Sequence, residues 1–211
     1  MEIKKEKIKE GIAKALEDKG KRKFTQTMEL IVNFRGIDFT KPENRLNLNI
    51  VLPKGKGKKE NKVVVIGDES ITHEAKKLGA DKVFNIEEIG NVDAKELKKL
   101  AKDHFFIAHP KAMGLVAKHW GKVLGPRGKI PTPILGDLKK AIENARKLVK
   151  IQNKGKYMPV VQAGIGSEDM NVDDLVENAI AVLEEITKKI PQGNIKNVLF
   201  KLTMGKPVKV V

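Results

Sequence analysis

The chain contains no cysteine, which removes disulfides, thiolate metal sites and cysteine nucleophiles together. Aromatics make up only 4% of residues, with Trp120 and Tyr157 each the single one of its kind, so a row of aromatic side chains for stacking a single strand is not available. No apolar run approaches the roughly 18 to 20 residues of a membrane span. Met1-Glu2-Ile3-Lys4-Lys5 has no apolar stretch of signal-peptide type, so the expectation is a cytoplasmic chain with no membrane partner. A G-x-x-x-x-G-K-[ST] phosphate loop is missing, and Gly67-Asp68-Glu69-Ser70, Gly164-Ile165-Gly166 and Gly55-Lys56-Gly57 fall short of the G-x-G-x-x-G that lets backbone approach a pyrophosphate. His73, His104, His109 and His119 show no metal-ligand spacing. The pairs Glu87-Glu88 and Glu184-Glu185 are sequence neighbours rather than an acid/base couple held across a cleft. The expectation is no catalytic residue, no metal and no cofactor.

What the chain has in excess is positive charge. Its 42 Lys and Arg against 27 Asp and Glu give a formal +15 over 211 residues. Residues 1–62 carry 17 basic and 9 acidic groups, residues 63–156 carry 19 and 11, and residues 157–211 carry 6 and 7, so the field is regional. Such crowding is the electrostatic footprint of a nucleic-acid binder, because each neutralised phosphate releases condensed counterions. Only Arg22, Arg35, Arg45, Arg127 and Arg146 are arginines. Lysine grips phosphate as a point charge, not as a bidentate fork. Lysine therefore supplies affinity, specificity has to come from elsewhere, and the scarcity of aromatics points to structured RNA or a duplex as the target.

The apolar spacing predicts a helix through Lys4 to Lys19, stopped at Gly20, and a strand whose even positions Phe24, Met28, Leu30, Val32 and Phe34 are apolar, with Gln26 the one polar exception. A second strand follows at Leu46 to Leu52. Lys54 to Lys62 is Gly- and Lys-rich without an apolar residue and reads as a flexible connector. Beyond it, short apolar runs at Val63–Ile66, Val83–Phe84 and Phe105–Ala108 alternate with helical stretches, ending in a helix at Leu138 to Val149. That alternation implies a small parallel sheet with helices on its faces. After a second connector at Asn153 to Lys156 come a strand at Val160–Ile165, a helix at Val172–Ile190 and a strand at Val198–Met204. The expected fold is α/β with two domains. Residues 1–62 plus 157–211 form a discontinuous α+β domain of split β-α-β type, and residues 63–156 form an inserted Rossmann-like three-layer α/β domain. Hinges near 54–62 and 152–156 would let the domains open and close as units.

Two runs carry candidate binding chemistry. Leu124-Gly125-Pro126-Arg127-Gly128-Lys129-Ile130-Pro131 is a stiff turn that would project Arg127 and Lys129 and leave backbone N–H groups open to an anion, although it also reads as a rigid link between two helices. In Thr203-Met204-Gly205-Lys206-Pro207, Thr203 could bond a ribose hydroxyl, Met204 offers a polarizable contact and Gly205 lets another backbone come close. A plain turn after a strand is the other reading.

These two runs resemble the signature and C-terminal motifs of the large-subunit ribosomal protein L-one family. Lys23-Phe24-Thr25-Gln26-Thr27-Met28-Glu29, Lys41 to Arg45 and Val51 to Gly55 are similar to its archaeal branch, and the resemblance covers nearly the whole chain. It implies a ribosomal protein that binds large-subunit rRNA at a mobile stalk, assists release of deacylated tRNA from the exit site, and represses translation by binding its own mRNA. The free protein would be a monomer. Carried over by motif, the RNA contacts would be Lys23, Phe24, Thr25 and Glu29 with Thr203, Met204 and Gly205, while Arg127 and Lys129 form a secondary basic loop. Two other functions stay open on residues alone: a nucleotide-binding enzyme using the inserted domain, and a DNA-architectural protein.

Overall fold

The structure, a computed structural model, describes residues 4–153 and 157–210. In chain order its helices and strands are α1 (Lys5–Ala15), β1 (Thr27–Phe34), β2 (Asn47–Val51), β3 (Lys62–Gly67), α2 (Glu69–Lys77), β4 (Lys82–Asn85), α3 (Ala94–Asp103), β5 (His104–Ala108), α4 (Met113–Leu124), β6 (Thr132–Pro133), α5 (Leu138–Lys147), β7 (Leu148–Gln152), β8 (Val160–Ser167), α6 (Val172–Thr187), β9 (Ile195–Leu202) and β10 (Val208–Lys209). They divide into two units, Met1–Glu60 with Lys147–Val211, and Asn61–Arg146.

In the discontinuous unit, β1 is the inner strand of an antiparallel sheet of order β10-β9-β1-β8. Period-two alternation puts Met28, Leu30, Val32 and Phe34 on one face, and the register sets them beside Val198, Phe200 and Leu202 of β9 and Val161 and Ala163 of β8. Ile8, Ile12 and Ala15 of α1, together with Leu175, Ala179, Val182 and Ile186 of α6, recur at helical spacing and cover that face. Each Val, Leu, Ile, Phe or Met side chain so buried is worth about 1.5–3 kcal/mol relative to exposure. Between Met28 and Glu29 the pairing with β8 slips from Gly166 to Gly164, so Ile165 is the extra residue of a β-bulge. The Gly-Ile-Gly run thus shapes a strand.

Two features depart from the sequence pattern. β2 does not join this sheet. It pairs antiparallel with β7, in register from Asn47 opposite Gln152 to Val51 opposite Leu148. β7 in turn occupies residues expected to finish a helix, because α5 stops at Lys147, and its Val149 and Ile151 enter the core of the discontinuous unit. The β-branched run Val149, Ile151 alternates with Lys150 and Gln152, a strand period that a helical reading through Val149 overlooks. The second crossing between units consequently falls at Arg146 to Lys147 rather than near 152–156, of which Lys154 to Lys156 lie outside the described residues. Similarly, β9 ends at Leu202, so Met204 leaves the inward row.

The inserted unit is a three-layer α/β sandwich around a parallel sheet of order β4-β3-β5-β6. Val63 to Ile66 are all buried, as expected of a strand covered on both sides. Val64, Ile66 and Phe106 face α3 and α4, while Val63, Val65 and Ile107 face α2 and α5. Trp120 anchors the first layer. It is 1% exposed, donates from Nε1 to the Ile89 carbonyl at 2.9 Å, and meets Phe84 and Phe106 edge-on. Trp120→Ala is expected to cost about 3–5 kcal/mol through the cavity and the lost bond, read by chemical denaturation. Phe24→Ala, at a side chain 48% exposed, should stay within about 0.5 kcal/mol of wild type.

Candidate nucleic-acid interface

β1 begins at Thr27, so Phe24 stands outside the sheet's in-and-out register and is exposed instead of inward-facing. Lys23 is exposed beside it and Thr25 half-buried. Gln26 takes the inward place and is 1% exposed. A buried amide has to be satisfied on both ends, and this one is. Its Oε1 accepts the Met204 N–H at 3.0 Å, while its Nε2 donates to Glu168 Oε2 at 3.1 Å and to the Asp18 carbonyl at 3.3 Å. The Glu168 N–H returns to the Gln26 carbonyl at 2.9 Å, and Glu168 is itself buried. One side chain therefore joins four stretches of chain: the end of α1, the start of β1, the exit of β8 and the exit of β9.

Thr203 is bound into the same corner. Its Oγ1 accepts the Thr27 N–H at 3.1 Å, its N–H donates to the Thr27 carbonyl at 3.1 Å, and its hydroxyl reaches that carbonyl at 3.4 Å. The hydroxyl expected to meet a ribose thus serves the protein first, leaving one acceptor position. The chain then turns, with the Gly205 N–H donating to the Leu202 carbonyl at 2.9 Å. A Cβ on Gly205 would stand 3.2 Å from Leu202 Cβ and 3.4 Å from Asp18 Oδ2, so the glycine lets its own turn close against Asp18. The outcome is that Met204, 57% exposed, is presented to solvent by a backbone held on both sides.

Electrostatics frame the corner. Lys21 sits 2.6 Å from the Asp18 carboxylate and, with the Lys206 backbone N–H, holds that carboxyl below its ordinary 3.8. The interaction is therefore intact above that pH and is lost only as pH falls through the still lower folded value. Glu29, half-buried on β1, faces Lys201 directly across the ladder, Nζ 3.7 Å from Oε2, and Lys201 also donates to the Thr203 carbonyl at 2.8 Å. The motif residues Lys23, Phe24, Thr25, Glu29, Thr203, Met204 and Gly205 are thus drawn toward one end of the β1–β9 ladder, from positions up to 182 apart in a chain of 211.

The ribosomal protein L1p/L10e family model matches residues 13–206. The chain belongs to this family. It is 47% identical to the large ribosomal subunit protein uL1 of Thermofilum pendens over 96% of this chain and 92% of that one. The proteins of the same name from Thermococcus kodakarensis and Archaeoglobus fulgidus are 41% and 40% identical, each over 100% of this chain and 99% and 100% of theirs.

In this family member the run Leu124 to Pro131 is not an open anion cradle. The N–H groups of Arg127 and Lys129 donate to the Leu124 carbonyl at 3.2 and 3.0 Å, and that of Gly128 to the Gly125 carbonyl at 2.9 Å. The Arg127 guanidinium donates to the Lys98 carbonyl at 2.7 Å, and the Lys129 ammonium lies 3.7 Å from the Phe105 ring centre. Two glycines and two prolines here close the end of α4 and fix its loop. The charge account shifts too. With the crossings where the structure puts them, the discontinuous unit holds 26 basic and 16 acidic groups, a net +10, and the insert 16 and 11, a net +5.

Sequence pattern alone missed Gln26, Glu168 and Asp18 as one cluster. Gln26 was the visible signal, a polar residue at an inward position. Glu168, 142 residues away, gives no local sign. Gln26→Ala leaves the Met204 N–H and the buried Glu168 carboxylate short of a partner and is expected to cost about 1–3 kcal/mol, measured by urea denaturation, with exposed Met204 the first region to lose amide-exchange protection.

Proposed function

We propose that this chain is a constituent of the large ribosomal subunit, in the cytoplasm, and binds large-subunit rRNA at the mobile stalk through the corner built by Phe24, Gln26, Thr27 and Thr203 to Gly205. The observation that carries this reading is the exposure of two large apolar side chains, Phe24 and Met204, on a backbone clamped by the buried Gln26 and the Thr27–Thr203 pair. Exposed apolar groups on rigid supports are what an unstacked base or a ribose face packs against. Lysine charge draws the polyanion, and the clamp supplies the shape that charge alone does not. The family membership supports the ribosomal setting. Assistance to exit-site tRNA release and repression through its own mRNA belong to the same proposal, since an mRNA folded like the rRNA target would fit the same corner. The free protein is taken to be a monomer.

The test is affinity for a large-subunit rRNA fragment at several salt concentrations. Phe24→Ala is expected to weaken binding by about 1–3 kcal/mol, roughly 5- to 150-fold, as for loss of a stacking contact. Met204→Ala should cost about 0.3–1.5 kcal/mol. Neither should change the slope of log affinity against log salt, because no phosphate contact is removed. Duplex DNA of the same length should compete poorly, lacking the 2′-OH. Wild-type affinity in a folded Phe24→Ala protein, or equal competition by DNA, would overturn the assignment.

A further inference from the structure

Lys54 to Lys62 reads from composition as a flexible connector, but the structure fastens its first part, Lys54 to Lys58, to the discontinuous unit. Asn178, buried on α6, accepts the Lys54 N–H at 3.0 Å through Oδ1 and donates through Nδ2 to the carbonyls of Gly55 and Ile165, each at 2.8 Å. The Lys54 ammonium lies within 3.4–3.7 Å of Glu177 and Asp174. Gly57 has φ +67°, and a Cβ there would lie 2.3 Å from Ser167 Oγ and 2.9 Å from Met170 Cγ, so only glycine lets the segment lie this close to the end of β8. Lys58 then pairs with Asp169 at 3.1 Å.

This track ends at Lys59, and Lys59 behaves differently from Lys54 and Lys58. No carboxylate among the described residues pairs with it. Its ammonium instead reaches the first residue of β1, 3.5 Å from Thr27 Oγ1, and lies 5.6 Å from the centre of the Phe24 ring. A cation left without a counter-ion and held beside an exposed aromatic ring is available to an incoming phosphate. The structure fixes its approach through the Asn178 hydrogen bonds and the close packing at Gly57, so little ordering remains to be done on binding.

We infer that Lys59 is a phosphate contact of the RNA surface, delivered to Phe24 by the fastened segment Lys54 to Lys58 of the discontinuous unit. This rests on the corner around Phe24 and Met204 being the RNA site. Lys59 takes a backbone phosphate of the strand that packs there, and the paired Lys58 does not.

The test uses the full chain and a large-subunit rRNA fragment, comparing wild type, Lys59→Gln, Lys59→Arg, Lys58→Gln, Phe24→Ala and Met204→Ala from 0.05 to about 0.4 M KCl. Loss of one phosphate contact makes the log–log salt slope shallower by about 0.7–0.9 and weakens binding about fivefold at 0.15 M. Lys59→Gln is expected to show both changes, Lys59→Arg to restore the slope, and Lys58→Gln to keep it. If Lys59→Gln keeps wild-type affinity and slope while Met204→Ala or Phe24→Ala weakens binding, the Lys59 contact is overturned and the site stands. If wild type, Met204→Ala and Phe24→Ala all bind alike, the site itself is wrong and the Lys59 contact falls with it. Lys59 is exposed, so these substitutions leave folding untouched, which a thermal melt confirms.

Discussion

A single buried carboxamide governs this surface. Gln26 sits where the alternation of β1 calls for an apolar residue, and its three hydrogen bonds reach Met204, Glu168 and Asp18. A neutral amide is suited to that place because it offers an acceptor to one backbone N–H and donors to a carboxylate and a carbonyl at once. A carboxylate there would face Glu168 with like charge, and an apolar side chain would leave the Met204 N–H and the Glu168 carboxylate short of a partner. The exposed side chains beside it gain their fixed positions from this hidden one.

Local pattern revealed most of the elements. Alternation at Met28 to Phe34 and Val198 to Leu202, and the all-apolar run Val63 to Ile66, encode which strands have one buried face and which have two. Helical spacing gave α1, α6 and the helices of the insert. Pairing was another matter. That β2 would take β7 as its partner depends on residues about a hundred positions apart, and the short run Leu148 to Gln152 is too brief for its period to override the strongly helical stretch before it. The motif residues of the site were legible through family resemblance. Their support was not, because Glu168 and Asp18 meet Gln26 only once the chain has folded.

The lysines illustrate why composition overstates how freely charge is distributed. Lys9, Lys54 and Lys58 each face a carboxylate of the same unit, and exposed pairs of this kind contribute little to stability. Their effect is to organise the field. Positive groups that already have partners contribute to long-range attraction, whereas those without one, beside Phe24, can exchange solvent for a phosphate. In the proposed RNA complex, attraction and recognition are thereby assigned to different members of one residue type. The glycines of the connector work alongside them, since Gly57 permits the close packing that carries the lysines past β8.

The place of β1 between β8 and β9 has a further consequence for biosynthesis. Made early, this strand has neither neighbour until the final third of the polypeptide has been translated, whereas the sheet of the insert closes among residues 62–133. Emerging from a ribosome, the middle of the chain can complete its fold while the first strand waits, and such distant pairing is slow. The corner that includes Met204 comes into being last, so the proposed RNA surface is withheld from every unfinished copy.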